Sequence, residues 1–158
     1  MNIVNFTRKI EEKAMKSKFT YWLTSQYYRN AIRKEIKLAK ICERDNMLCI
    51  GGGICPFSAI MFHQTTGARV TVIDNCENCA RQARLVIEQL GLSEKVRVQC
   101  CDGADIDVSE YSVVHLAKQV SPAEVVLSKV KKRAVTGTKL LARMPSKRIG
   151  NTSLIEVA

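Results

Sequence analysis

Three consecutive glycines, Gly51, Gly52 and Gly53, follow the short apolar run Met47-Leu48-Cys49-Ile50. Glycines placed directly after a buried strand let the backbone turn tightly and let a ligand approach with no Cβ in the way. A ligand-binding turn is therefore the expected role of Gly51-Gly52-Gly53-Ile54-Cys55-Pro56. Asp74 ends the next β-branched run, 21 residues after Gly53. A carboxylate there can accept both hydroxyls of a ribose, and it can also cap the helix that follows. Cys101-Asp102-Gly103-Ala104 follows a third strand-like run. Asp102 would lie beside an adenine, although Asp-Gly is also an ordinary turn signal. Asn75, Gly103 and Ala117 complete the candidate cofactor-binding set.

The identity of the ligand turns on one residue. A dinucleotide fingerprint starting at Gly51 and Gly53 requires a further glycine at position 56, where this chain has Pro56. Proline removes a backbone donor at the helix start, where a pyrophosphate would seek one. S-adenosylmethionine carries no phosphate and loses nothing by the change. The pattern disfavours a nicotinamide dinucleotide and favours S-adenosylmethionine as the cofactor.

The remaining reactive residues are more ambiguous. Cys76-Glu77-Asn78-Cys79 is a C-x-x-C, and Cys100-Cys101 is a second pair that parallel strands could bring near it. Adjacent residues on a strand point to opposite faces, which suits tetrahedral coordination poorly, and no metal is expected. His63 falls at a predicted helix end. His115 falls in the fourth strand, near the expected pocket mouth, with a buried core histidine as the ordinary alternative. Glu35, Tyr27 and His115 are the candidates for a catalytic base if the reaction needs one.

These residues need elements to hold them. Ser25 to Cys42 is expected to be helical, with Ala31, Ile32, Ile36, Leu38, Ala39 and Cys42 at helical spacing. Glu11 to Lys18 reads as a polar helical stretch before it, and an aromatic cluster, Phe19, Tyr21, Trp22, Tyr27 and Tyr28, opens the main helix. From Asn46 the pattern alternates: strands at Met47–Ile50, Arg69–Ile73, Val96–Cys100, Ser112–Leu116 and Lys139–Arg143. Helices are expected over Pro56–Gln64, over Glu77–Leu90 with Gly91 as the stop, and from a Ser121-Pro122-Ala123-Glu124 capping box to about Arg133. Thr152 to Val157 reads as one more short edge strand. Strands separated by helices imply right-handed crossovers and a Rossmann-like, doubly wound, mostly parallel α/β sheet of five to six strands. Residues 1–45 read as a helical N-terminal extension, and 46–158 as the cofactor-binding domain.

Composition sets the class. The 158 residues are 46% hydrophobic and 25% charged, which fits one globular domain. No secretory signal or bilayer-spanning run is visible, so a cytoplasmic location without membrane contact is expected. Seven cysteines without a signal make a poor disulfide framework. The net charge of +10 divides as +6 over residues 1–45, −3 over 46–110 and +7 over 111–158. Basic ends around an acidic middle suit a carboxylate-bearing small substrate or RNA; a solvated basic surface is the ordinary alternative.

Taken together, Ile50-Gly51-Gly52-Gly53, Pro56, Asp74 and Asp102 resemble the class I S-adenosylmethionine-dependent methyltransferase fold over roughly residues 45–145. Ile50 to Ile60, and Tyr111-Ser112-Val113-Val114-His115-Leu116-Ala117 through to Lys139-Leu140-Leu141-Ala142-Arg143, are more similar to nicotianamine synthases and their metallophore-synthesising relatives. Tyr27, Tyr28 and Glu35 resemble the helix entering that family's domain. The resemblance implies transfer of a methyl or a 3-amino-3-carboxypropyl group to an acceptor, a small amine in the second case. Those enzymes are longer, and the parts that choose the acceptor are short here, so the acceptor half is either mostly absent or comes from another chain, for which a homo-oligomer is one arrangement. Two alternatives stand beside this reading: a cofactor-binding subunit without turnover, and an RNA-modifying methyltransferase.

Overall fold

The computed structural model describes residues 18–143 and 152–158. The polar stretch expected over Glu11–Lys18 lies outside the described residues except at its last position. Ten elements follow in order: α1 (Lys18–Ala39), β1 (Asn46–Ile50), α2 (Phe57–Thr66), β2 (Arg69–Asp74), α3 (Glu77–Gln89), β3 (Val96–Cys100), β4 (Val113–Leu116), α4 (Ala123–Arg133), β5 (Lys139–Arg143) and β6 (Thr152–Glu156).

The six strands form one sheet in the order β3-β2-β1-β4-β5-β6. Every pairing is parallel except β5 with β6, which is antiparallel. The chain winds outward from β1 through β2 to β3, then returns to place β4 on β1's other side. The order therefore reverses beside β1, and the carboxyl end of β1 opens into the crevice where such sheets bind ligands.

Strand alternation divides the core in two. Met47 and Cys49 of β1 point to a layer with Ile32 of α1, Phe57, Ile60 and Phe62 of α2, and Val86 and Ile87 of α3. Leu48 and Ile50 point the other way, to a layer with Ile73, Val114, Leu116, Leu140 and the α4 residues Val126 and Val130. Burying each large side chain stabilises the fold by about 1.5–3 kcal/mol. The helix α1 buries Ile32, Glu35 and Ala39, at i, i+3 and i+7, and Leu38 on the other side is exposed. Leu38 therefore does not join the apolar stripe drawn from spacing alone. Tyr28 stacks on Phe57, with ring centroids 5.8 Å apart.

Helix ends follow their expected chemistry with two adjustments. Gly67 takes a left-handed conformation (φ 77°) after α2, and its N–H donates to the His63 carbonyl. The prolines sit one position earlier than expected. Pro56 and Pro122 are the N-cap residues of α2 and α4, rather than their first helical positions. The capping box at Ser121 does not form, because the helix starts at Ala123 and no side chain caps it. No described helix is long and apolar enough to cross a membrane.

Candidate functional site

The strands β1, β2 and β3 end at the same edge of the sheet, and the loops leaving them meet around a cavity of about 430 Å³. Gly51 and Gly53 line it from the β1 loop, with Asp74, Asn75, Cys76 and Cys79 after β2. The β3 loop contributes Cys101, Asp102 and Gly103, and the approach to α4 contributes Gln119, Val120 and Val126. The volume lies within the range of about 300–1,000 Å³ typical of small-molecule sites.

The glycine loop is shaped by its neighbours. Gly51 and Gly53 adopt φ of 87° and 64°, which side chains rarely accept. At Gly52 the constraint is space, since a Cβ would stand 2.2 Å from Val72 Cγ1. The Gly51 and Gly52 amides both donate to the Ile73 carbonyl, at 2.9 and 3.1 Å. The Gly53 amide donates to Asp74 Oδ2 at 2.8 Å, and the Cys76 amide donates to Asp74 Oδ1 at 2.9 Å. Two amides thus aim the carboxylate, and each oxygen keeps a second lone pair for a ligand. Gln119 Nε2 donates to the Gly51 carbonyl at 2.8 Å, tying the loop after β4 to the glycines. Asp102 Oδ1 accepts from the Ala104 amide at 2.8 Å, which fixes the second carboxylate at the cavity wall.

Among the candidate cofactor residues, Gly51, Gly53, Asp74, Asn75, Asp102 and Gly103 share this cavity. Gly52 and Ala117 do not; both line a cavity of about 20 Å³ on the other side of the glycine loop, with Tyr28, His115, Gln119 and Arg143.

Two of the three candidate bases, Glu35 and His115, do not line the larger cavity. In the β1–β4 register His115 pairs with Cys49, so its ring points into the α1–α2 layer rather than to the pocket mouth. The ring is 1% exposed and packs edge-on against Phe62 at 5.2 Å. Neither ring nitrogen has a hydrogen-bond partner among the described residues. Burial, reinforced by the Arg143 charge, holds His115 below its ordinary value, so it is neutral at pH 7.

Glu35 is equally buried and serves as the counter-ion of Arg143. Arg143 donates from Nε to Oε1 and from Nη2 to Oε2, each at 2.7 Å, and Thr152 Oγ1 donates to Oε1 at 2.6 Å. Burial alone would push the Glu35 carboxyl up, but the bidentate Arg143 outweighs it and holds it well below the usual range. With His115 neutral, the guanidinium supplies the balancing charge. Arg143 also donates to Ser58 Oγ at 2.9 Å and stands 5.6 Å over the Tyr28 ring. The Tyr27 side chain lies outside the described residues.

Arg143 was not among the candidates from sequence. An arginine closing the strand Lys139-Leu140-Leu141-Ala142-Arg143 was its only local trace; its partner lies 108 residues away. Cys76 and Cys79 converge with Asp74, whereas Cys100 is exposed and Cys101 lies in the next loop. Burial pushes the Cys49 thiol up to about 12, so it stays protonated.

No protein family and no curated protein matches the sequence. Solved structures do match the fold. A glutamate-to-glutamine variant of MtNAS, a nicotianamine synthase, in complex with S-adenosylmethionine is similar at a TM-score of 0.77 and 26% identity, over 88% of this chain and 57% of that one. MtNAS in complex with MTA and tNA is similar at 0.77 and 25% identity, over 88% and 56%. An RNA methyltransferase from Salinibacter ruber in complex with S-adenosyl-L-homocysteine is similar at 0.65 and 21% identity, over 78% and 86%. The chain has the class I S-adenosylmethionine-dependent methyltransferase fold, with a nicotianamine synthase-like resemblance, and spans a little over half the length of MtNAS.

Proposed function

We propose that this chain binds S-adenosylmethionine in the 430 Å³ cavity and serves an S-adenosylmethionine-dependent transferase, moving the 3-amino-3-carboxypropyl group to a small amine. The observation that carries the proposal is the convergence of the glycine loop, Asp74 and Asp102 at the carboxyl ends of β1, β2 and β3. The cavity fits the cofactor: Asp74 keeps lone pairs for two ribose hydroxyls, and Asp102 stands one strand further for the adenine amine. Ile50, Ile73 and Val126 give apolar walls for the base. Pro56 leaves no amide for a phosphate at the start of α2, which costs a phosphate-free ligand nothing.

The sulfonium supplies carbon electrophiles that need little further activation. The chain's contribution is then placement, which converts a bimolecular encounter into an oriented one. Asp74 and the glycine amides hold the ribose side. Gln119 and the loop after β4 set the position of the glycine backbone between the two cavities. The neutral His115 and Arg143 line the smaller cavity, with Glu35 behind them as the counter-ion of Arg143, and assigning them a proton-transfer step is unnecessary.

The MtNAS similarity over 88% of the chain supports aminocarboxypropyl transfer. Methyl transfer to RNA is the second reading, favoured by the Salinibacter ruber enzyme and by the +7 charge of residues 111–158. Incubation with S-adenosylmethionine and candidate amines, followed by mass spectrometry, separates them. Methylthioadenosine is the expected by-product; S-adenosylhomocysteine would mean methyl transfer. Binding without either product would identify a cofactor-binding subunit.

A further inference from the structure

The loop after β2 brings three metal-binding groups together. The Asp74 carboxylate and the Cys76 and Cys79 sulfurs offer ligand atoms that all lie within 4.8 Å of one another. Zinc bonds of about 2.3 Å to sulfur and about 2.0–2.2 Å to oxygen place tetrahedral ligands roughly 3.5 Å apart, so small side-chain rotations close the site. All three residues line the 430 Å³ cavity, which gives a cation a route from solvent and leaves a fourth position for water. Two of the three groups are already oriented. The Cys76 amide fixes Asp74 Oδ1, and Cys76 Sγ accepts the Cys79 amide at 3.3 Å as the N-cap of α3.

We infer that Asp74, Cys76 and Cys79 form a binding site for a thiophilic divalent cation such as zinc, and that the bound cation and a nucleoside exclude one another. Binding replaces two thiol protons with two metal–sulfur bonds and releases both protons to solvent. The exclusion, unlike the metal site itself, rests on the proposed function, because it requires Asp74 to be the ribose acceptor. A carboxylate oxygen coordinated to zinc has given up the lone pair that would accept a ribose hydroxyl, and the cation with its water occupies the ribose end of the cavity. Cys49 cannot substitute, since it is a buried, protonated thiol in the opposite layer.

The test uses the whole chain, reduced with a phosphine and freed of metal by a chelator. Zinc is titrated against a chromophoric chelator of known affinity, with cobalt(II) as a second probe for thiolate-to-metal absorption. One zinc per chain is expected, with affinity falling about tenfold or more in Cys76→Ser and in Asp74→Asn. Cys76 is tested first because it is only half-buried; circular dichroism and the Cys100→Ser variant control for misfolding and for stray thiolate binding. Unchanged zinc affinity in a folded Cys76→Ser protein, or no stoichiometric zinc, overturns the site. S-adenosylhomocysteine is then added at rising concentration, and the apparent zinc Kd should rise in proportion. If both bind without affecting one another, the exclusion is overturned. If S-adenosylhomocysteine does not bind at all, the proposed function fails while the zinc titration still decides the metal site.

Discussion

The Gly53 amide donates to Asp74 Oδ2 at 2.8 Å across 21 residues of sequence, so the glycine loop and the carboxylate opposite it form one unit. Changing either should disturb both. Asp74→Ala removes an acceptor that serves the loop and, in the proposed function, the ribose. Hydrogen bonds to charged groups contribute about 1.5–3 kcal/mol, so S-adenosylhomocysteine binding should weaken by roughly ten- to a hundredfold. Asp74→Asn, which keeps one acceptor oxygen, should lose less. Calorimetric titration of the two variants checks the order.

The glycines should separate by cause. A Cβ at Gly52 meets Val72 Cγ1 at 2.2 Å in the packed sheet, whereas a Cβ at Gly91 meets nothing within 4 Å. Gly52→Ala should cost about 1–3 kcal/mol through overpacking and also weaken cofactor binding. Gly91→Ala should cost only the strain of its φ of 67°, about 1–2 kcal/mol, and leave binding unchanged. Urea denaturation and a binding titration on each variant check the split.

Much of this arrangement is legible in the sequence because it is local. The strand-glycine-helix grammar and the stop at Gly91 are set by backbone chemistry within a few residues, and the 21-residue spacing from Gly53 to Asp74 is that of one strand-helix-strand unit. The Glu35–Arg143 pair is not local, since it joins a helix to a strand 108 positions away and only the packed sheet brings them together. His115 shows a subtler miss. Its strand was identifiable, but its face depends on the Cys49↔His115 register, which directs the ring to the α1–α2 layer. Leu38 matched helical spacing but is exposed, because it is rotated off the face that carries Ile32, Glu35 and Ala39, where Glu35 is buried against Arg143.

The ion pair should behave as a buried unit. Removing one partner leaves the other's charge uncompensated, which costs about 3–5 kcal/mol. Glu35→Gln and Arg143→Met should each destabilise the chain on that scale. The double variant should recover part of the loss, a non-additivity that denaturation of all three proteins measures.

His115 sets a pH dependence. Its folded-state value is lowered, so below about pH 6.5 the unfolded chain binds a proton that the folded chain refuses. Stability should therefore fall as pH drops from 6.5 toward the folded value. Because neither ring nitrogen has a hydrogen-bond partner among the described residues, and Nε2 stands 3.7 Å from Glu35 Oε2 while the ring is neutral, His115→Phe should change stability at pH 7 by less than about 1.5 kcal/mol. The same variant should flatten the slope between pH 6.5 and 5. Glu35 adds loss at lower pH: its lowered value contributes fully above the ordinary glutamate range and is lost as pH falls below it. Thermal unfolding at a series of pH values distinguishes the two.

The most direct measurement is a calorimetric titration of the purified chain with S-adenosylhomocysteine, which cannot turn over. The account predicts saturable binding of one ligand per chain, weakened at least about tenfold by Asp74→Ala and left unchanged by Gly91→Ala. Absence of binding, or binding indifferent to Asp74→Ala, would contradict it and assign the cavity between β1, β2 and β3 to another ligand.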